Sequence, residues 1–337
     1  MKFMWSEINN NISDTYDIHI CSASYEDRCL SFIENCPASK LQYTIVCYTK
    51  EYLSEISNNL EKLKNLLNAK KIQYELIEYY HKNTLKSADV LMNCLDKLII
   101  EKKVKKVLID VTTFTHEMTL ILLWMFKEKY NEINVAFTYS NAGDYNPSTK
   151  NIEDEKDEDK RKWLSKGIDE IHSVLGYPGT LLPAKLTHLI IVVGYEYDRA
   201  LSIISEMEPS SLSLAFGKSE SATTTDKHRG ARENFEYVAK DSLSFLPKEK
   251  IITFDISCNN PKTAKTELEE HLEIKKDIIG DKNIVIFAMN NKVSTLGVGL
   301  LALKKKNIQL CYAPALIYNY VDYSSQGNEC YLFNQIY

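Results

Sequence analysis

Two short polar stretches carry side chains suited to holding a ligand. Asp110 to His116 reads Asp-Val-Thr-Thr-Phe-Thr-His, and Asn290 to Thr295 reads Asn-Asn-Lys-Val-Ser-Thr; each follows an apolar run. Thr112, Thr113, Thr115, Asn290, Asn291, Ser294 and Lys292 offer hydroxyl, amide and ammonium donors just where a helix would begin. A helix start adds free backbone N–H groups, so such a loop suits a phosphate or the edge of a nucleotide. The same residue types also cap helices with no ligand present, which leaves two readings for each residue taken singly. His116 could serve as a general base or phosphate donor, or could simply face solvent in a first helical turn.

Other chemistries lack their signatures. There is no GxGxxG after a strand, no GxxxxGK[ST] and no GxSxG, which disfavours dinucleotide binding through a pyrophosphate turn, P-loop hydrolysis and a serine-hydrolase elbow. The eight cysteines form no CxxC pair and the seven histidines no HxxxH, so neither a metal nor a cofactor is expected. Most cysteines sit in apolar runs, as small buried hydrophobes in a reduced cytoplasmic protein would. A net charge of -5 gives no overall electrostatic reason to bind duplex nucleic acid. The N-terminal residues lack the apolar core of a signal peptide, and no run approaches the roughly 18 apolar residues of a membrane span.

The elements that must position these loops alternate along the chain. Ile18–Ala23, Leu41–Tyr48, Ile72–Tyr79, Val104–Val111 and Ile133–Ser140 read as strands separated by helical patterns, and a second series of five runs from Leu189 to Pro314. Strands alternating with helices imply a parallel sheet covered on both faces. The two series also share wording. His19–Ile33 and Leu189–Ile204 each hold a small residue (Ala23, Gly194), three residues, an Asp-Arg pair and Leu-Ser-x-Ile. Asp110–Leu123 corresponds to Ala288–Leu301, and Tyr139 to Tyr312. The expectation is an α/β chain of two tandem Rossmann-like parallel-sheet domains related by a pseudo-twofold axis. The first spans 1–150, a charged and Gly/Pro-containing connector 151–185, and the second 186–337.

In such sheets ligands bind beyond the carboxyl ends of the strands. That adds Ser22, Ser24 and Tyr25 after the first strand, and Tyr195 after its counterpart, to a site expected between the halves. Arg28 and Arg199 could reach a phosphate there. Because both copies keep Asp27-Arg28 and Asp198-Arg199 while the loops around them diverge, a structural pairing is favoured, with carboxylates across the interface or with Glu26 and Glu196. Gly217–Phe235 reads as a polar insertion with no counterpart in the first half; Lys218, Lys227, His228, Arg229 and Arg232 could form an anion-gripping lid or a solvated loop. The Tyr-rich C-terminus, with Tyr320, Tyr323 and Ser324, could contact a base or cap the sheet edge.

The serine-flanked turn Ser22–Ser24 and the Asp-x-Thr stretch Asp110–Thr119 resemble the CRISPR-associated Rossmann fold (CARF) superfamily and the related SAVED domains, and Ala288–Thr295 resembles them more loosely. The resemblance implies a cytoplasmic sensor of a nucleotide-type anionic ligand, such as a cyclic oligonucleotide, in bacterial antiviral defence. Members often carry an effector domain, and none follows the second copy, so a separate effector protein is implied. Two alternatives stand beside it: a metal-independent phosphodiesterase using His116 and Lys292, and a subunit serving protein–protein assembly alone.

Overall fold

A computed structural model describes residues 1–145, 163–218, 225–240, 242–320 and 323–337. In chain order the first elements are β1 (Lys2–Met4), α1 (Ile8–Asn11), β2 (Ile18–Ser22), α2 (Arg28–Asn35), β3 (Tyr43–Thr49), α3 (Leu53–Ala69), β4 (Gln73–Tyr79), α4 (Thr84–Lys102), β5 (Lys106–Asp110), α5 (His116–Trp124) and β6 (Asn134–Tyr145). There follow β7 (Ser165–Lys166), β8 (His172–Pro178), β9 (Thr187–Val193), α6 (Tyr197–Met207), β10 (Ser211–Lys218), α7 (Thr225–Ala239), β11 (Ile251–Ser257), α8 (Pro261–Ile274) and α9 (Lys276–Ile279). The chain ends with β12 (Asn283–Ala288), α10 (Lys292–Lys304), β13 (Ile308–Tyr312), β14 (Ile317–Tyr318) and β15 (Ser324–Asn334). The fold is mixed α/β with sheets dominated by parallel pairing.

Helices α4, α5, α8 and α10 start where side chains take up the free N–H groups. Asn83 accepts from the Lys86 amide, Thr115 from Met118, Asn291 from Ser294, and Asn260 from Lys262 and Thr263 with Pro261 behind it. The central strands are buried on both faces, which is why they read as unbroken apolar runs.

The chain divides into two compact units, Met1–Asp144 with Asp322–Tyr337, and Tyr145–Val321. The first unit holds a sheet of order β1-β15-β6-β5-β2-β3-β4, in which β2 to β6 run parallel and β1 pairs antiparallel with β15. The second holds β11-β10-β9-β12-β13-β8, parallel except for β8 against β13. In each, the five parallel strands take the order third, second, first, fourth, fifth. The order therefore reverses between β2 and β5, and between β9 and β12.

Three expectations about organisation change. The C-terminal strand β15 lies in the first sheet, because Cys330 and Leu332 belong to the core built by Phe3, Ile8 and Phe32. The span assigned to the connector contributes β8, whose Val174 and Tyr177 are buried at the edge of the second sheet. Most of the supposed insertion is helix α7, which holds the place between second and third strands that α3 holds in the first unit. Its narrow apolar stripe (Ala231, Phe235, Ala239) packs under Phe216 and is hidden among polar residues in the sequence.

Candidate functional site

Each reversal of strand order is bridged by a polar side chain. In the first unit the Thr113 hydroxyl donates to the Ser22 carbonyl at 2.7 Å; in the second the Asn290 amide donates to the Val193 carbonyl at 2.5 Å. Ser22 and Val193 are equivalent ends of the first parallel strand. Gly194 follows Val193 because a Cβ there would stand 2.3 Å from the Met289 carbonyl oxygen, a distance no side chain tolerates.

The expected donors converge at these loops, and most are engaged by the protein's own chain. The Asn291 carboxamide accepts from the Ser294 amide and donates to the Cys258 carbonyl at 2.7 Å. The Ser294 and Thr295 hydroxyls both donate to the Asn291 carbonyl at 2.9 Å. In the first unit Thr115 caps α5, Ser24 accepts from the Glu26 amide, and the Ser22 hydroxyl turns to the Ala23 carbonyl and the Tyr79 hydroxyl. His116 is nearly buried rather than solvent-facing, and Lys292, the first residue of α10, is partly exposed. Tyr25 meets Tyr323 edge-on at 5.5 Å, and Tyr195 lies between Tyr145 and Tyr197.

Asp110 is the site residue that sequence reasoning passed over. Its buried carboxylate accepts from the Thr112 amide at 3.0 Å and from the Thr112 hydroxyl, and that hydroxyl oxygen accepts the Ser140 amide. Burial pushes its pKa up to about 6 against the opposing pull of the Thr112 hydrogen bonds and the Arg28 charge. The neighbouring Ser140 hydroxyl is buried without a hydrogen-bond partner. The matching positions in the second unit are Ala288 and Ala313. The signal was present in the aligned repeat: an acid and a serine in one copy against two alanines in the other.

The conserved wording Asp-Arg proves to be a Glu–Arg pair. Arg28 Nη2 lies 2.6 Å from Glu26 Oε2, its Nη1 donates to the Ser140 carbonyl at 3.1 Å, and its Nε to the Ser324 hydroxyl at 2.9 Å. Arg199 repeats this arrangement: Nη1 lies 2.8 Å from Glu196 Oε2 and Nε donates to the Ala313 carbonyl at 2.7 Å. Each guanidinium stands beside the strand-five tyrosine, Tyr139 or Tyr312. Ser324 donates to Glu26, and Ser165 to Glu196. Burial works against the Arg199 charge, but Glu196 with Tyr312 and Tyr318 holds its pKa above the ordinary arginine value. Asp27 is exposed, 3.8 Å from Lys62, and Asp198 contributes its carbonyl to the Ser202 hydroxyl. Both arginines thus pair inside their own unit.

Of the residues expected to form a lid, Arg232 lies on helix α7 and Lys218 ends β10. Arg232 bonds Glu236 at 2.9 Å and Asp255 at 3.3 Å and packs on Phe216; the side chains of Lys227, His228 and Arg229 lie outside the described residues. Lys218 stands 3.6 Å from Glu267. Among the described residues no group of three His, Cys, Asp or Glu side chains could hold a metal ion, and no helix is long and apolar enough to cross a membrane.

No protein-family model matches the chain, and no curated protein matches it. Among solved structures it is similar to a Listeria monocytogenes protein described as a UDP-N-acetylglucosamine 2-epimerase, at 11% identity over 83% of this chain and 76% of the other, with a TM-score of 0.24. It is also similar to the YdjI aldolase of Escherichia coli, at 9% identity over 90% and 94% of the two chains, with a TM-score of 0.17. At these scores neither protein's activity bears on this chain.

Proposed function

We propose that the chain is a nucleotide-type sensor or scaffold module of a bacterial antiviral defence system, a fused tandem pair of Rossmann-like domains acting through a separate effector. The supporting observation is the recurrence, in both units, of one strand order with polar loops gathered where it reverses, the position at which open parallel sheets take ligands. The repeat in sequence supports a pseudo-twofold relation, since fused copies of one domain usually reproduce a symmetric dimer. Tyr25, His116 and the Thr112–Thr115 turn of the first unit, with Tyr195 and Lys292 of the second, are the contacts this reading needs. Calorimetry against a panel of cyclic di-, tri- and tetranucleotides tests it. Micromolar binding that Lys292→Glu abolishes without moving the melting temperature is the expected result; silence across the panel removes it. Chromatography of the same mixtures separates a sensor, which returns its ligand intact, from a phosphodiesterase using His116 and Lys292.

One observation favours a second reading, protein–protein assembly without a small ligand. The Asn290, Asn291, Ser294 and Thr295 donors and both buried arginines are already engaged by protein groups. On this reading the chain binds its effector and remains silent to every nucleotide.

A further inference from the structure

Each Glu–Arg cluster also holds a serine from the stretch of chain that passes from one unit to the other. Ser165 lies in β7, which pairs antiparallel with β14, Tyr318 opposite Ser165 and Ile317 opposite Lys166. The ribbon is extended by the Asn319 amide on the Leu164 carbonyl at 2.9 Å and the Asn319 side chain on the Trp163 carbonyl at 3.0 Å. A few residues beyond this ribbon the chain delivers Ser324 to Glu26 and Arg28.

The two serines are not equivalent in the repeat. Ser165 precedes the first parallel strand of its unit, whereas Ser324 follows the whole of the second unit. The duplicated sequence therefore supplies the Arg, the Tyr and the carbonyl, with a Glu two residues before Arg28 and three before Arg199, but not the serine. Two unrelated segments have each placed a serine hydroxyl on the arginine's glutamate, on the oxygen that Arg28 also meets in the first unit and on the other oxygen in the second. A hydroxyl bonded to a buried carboxylate is a charge-assisted, directional contact, and it is the one part of each cluster contributed by the crossing chain. Each pair lies in or beside the loop after the first parallel strand and reaches the fifth, at Ser140 within β6 and at Ala313 just after β13.

We propose that Ser165–Glu196–Arg199 and Ser324–Glu26–Arg28 are paired latches on the crossing chain, and that they release it when an anionic group at a first-strand loop draws the arginine from its glutamate. The stimulus rests on the sensor reading; the latches themselves do not. An anion competing for Arg28 or Arg199 leaves the glutamate without its counter-charge, which weakens its hold on the serine segment.

Hydrogen exchange on the full chain tests both parts. Ser165→Ala is expected to speed exchange about tenfold at 163–166, 317–319 and the 194–199 loop, and Ser324→Ala about tenfold at 323–328 and 24–28, as loss of a hydrogen bond to a charged group implies. Protection in β9 and β10 stays unchanged and reports that the fold survives; Ser→Thr at either position keeps the hydroxyl and restores slow exchange. Acceleration confined to the substituted segment, with the glutamate loop unaffected, overturns the latch. Adding cyclic tetranucleotide to the wild-type chain is expected to speed exchange at the same segments. Calorimetric binding without that change overturns the coupling, while absence of binding removes the sensor reading and leaves the ligand-free comparison to decide the latch.

Discussion

The Arg28 guanidinium and the Glu26 carboxylate meet at 2.6 Å with both side chains almost wholly out of water. Such a pair gains little over a well-packed apolar substitute, yet removing one partner strands a charge in a low dielectric. Arg28→Ala is therefore expected to cost about 3–5 kcal/mol of unfolding free energy. Asp27→Ala, next to it but exposed, should stay within about 0.5 kcal/mol. Urea unfolding of the two variants measures the contrast; equal effects would return the pairing role to Asp27.

Gly194 and Ala23 occupy the same place in the repeat and differ for a steric reason. A Cβ at Gly194 would stand 2.3 Å from the Met289 carbonyl oxygen and 3.1 Å from the Asn290 Cα. Gly194→Ala must push the β12 loop away from the end of β9 and break the Asn290 bridge. The expected cost is about 2–4 kcal/mol, within the tail of single-site effects. Ala23→Gly should cost about 1 kcal/mol or less, through backbone entropy and one lost methyl. A Gly194→Ala variant with an unchanged urea midpoint would show that the loop yields freely.

What is legible in the sequence depends on the range of the interactions. The alternation of strands and helices was legible because periodicity and caps such as Asn83 and Thr115 are local. The Glu–Arg pairing was legible in part: the repeat marked Arg28 and Arg199 and their neighbours Glu26 and Glu196, but nothing local decides between these glutamates and carboxylates farther away. The return of β15 to the first sheet was not legible, since nothing local tells Cys330 and Leu332 which of two cores they enter. Helix α7 was concealed by its composition, with an apolar stripe too narrow to stand out. Asp110 lies within the Asp-Val-Thr-Thr stretch, but its burial is a tertiary property that no local pattern announces.

Asp110 carries a pKa raised to about 6 by burial. A carboxyl whose folded pKa exceeds its unfolded value favours the protonated state, so it contributes stability at low pH. That contribution is lost as pH rises from about 4 through 6. Asp110→Asn keeps an oxygen for the Thr112 amide and hydroxyl while removing the buried charge. It is expected to stabilise the first unit by about 1–3 kcal/mol at pH 7.5 and to have little effect at pH 4. A loss of stability at pH 7.5 would mean that Arg28 depends on the ionised form.

Buried histidines set the opposite trend. In the second unit a continuous chain of hydrogen bonds runs from Lys282 to Ser211 (3.1 Å), His188 (2.8 Å), Ser213 (2.9 Å) and His271 (2.8 Å). One polarity satisfies every atom in it: Lys282 donates to Ser211, Ser211 to His188 Nδ1, His188 Nε2 to Ser213, and Ser213 to His271 Nε2. That polarity requires both imidazoles to be neutral. Burial lowers the His188 pKa to about 3, with His271 and Lys282 adding to it, and lowers His271 to about 4, with Lys275 adding. A histidine whose folded pKa lies below its unfolded 6.5 contributes stability above that pH and loses it as pH falls toward the folded value. Each can cost up to about 1.4 kcal/mol per pH unit in that window. In the first unit His19, also lowered to about 3 by burial, stacks on Phe32 with neither ring nitrogen hydrogen-bonded. His19→Leu is therefore expected to stabilise the first unit at pH 7 and to flatten its decline toward pH 4, because an unpaired buried imidazole is replaced by an apolar group. His188→Leu removes one of the two partners of each of the Ser211 and Ser213 hydroxyls and should destabilise the second unit at pH 7 while also flattening its decline. Unfolding curves at pH 7, 5.5 and 4, followed by exchange at β2 and at β9, resolve the two units; identical pH slopes for wild type and both variants would rule out the histidines as the origin of acid lability.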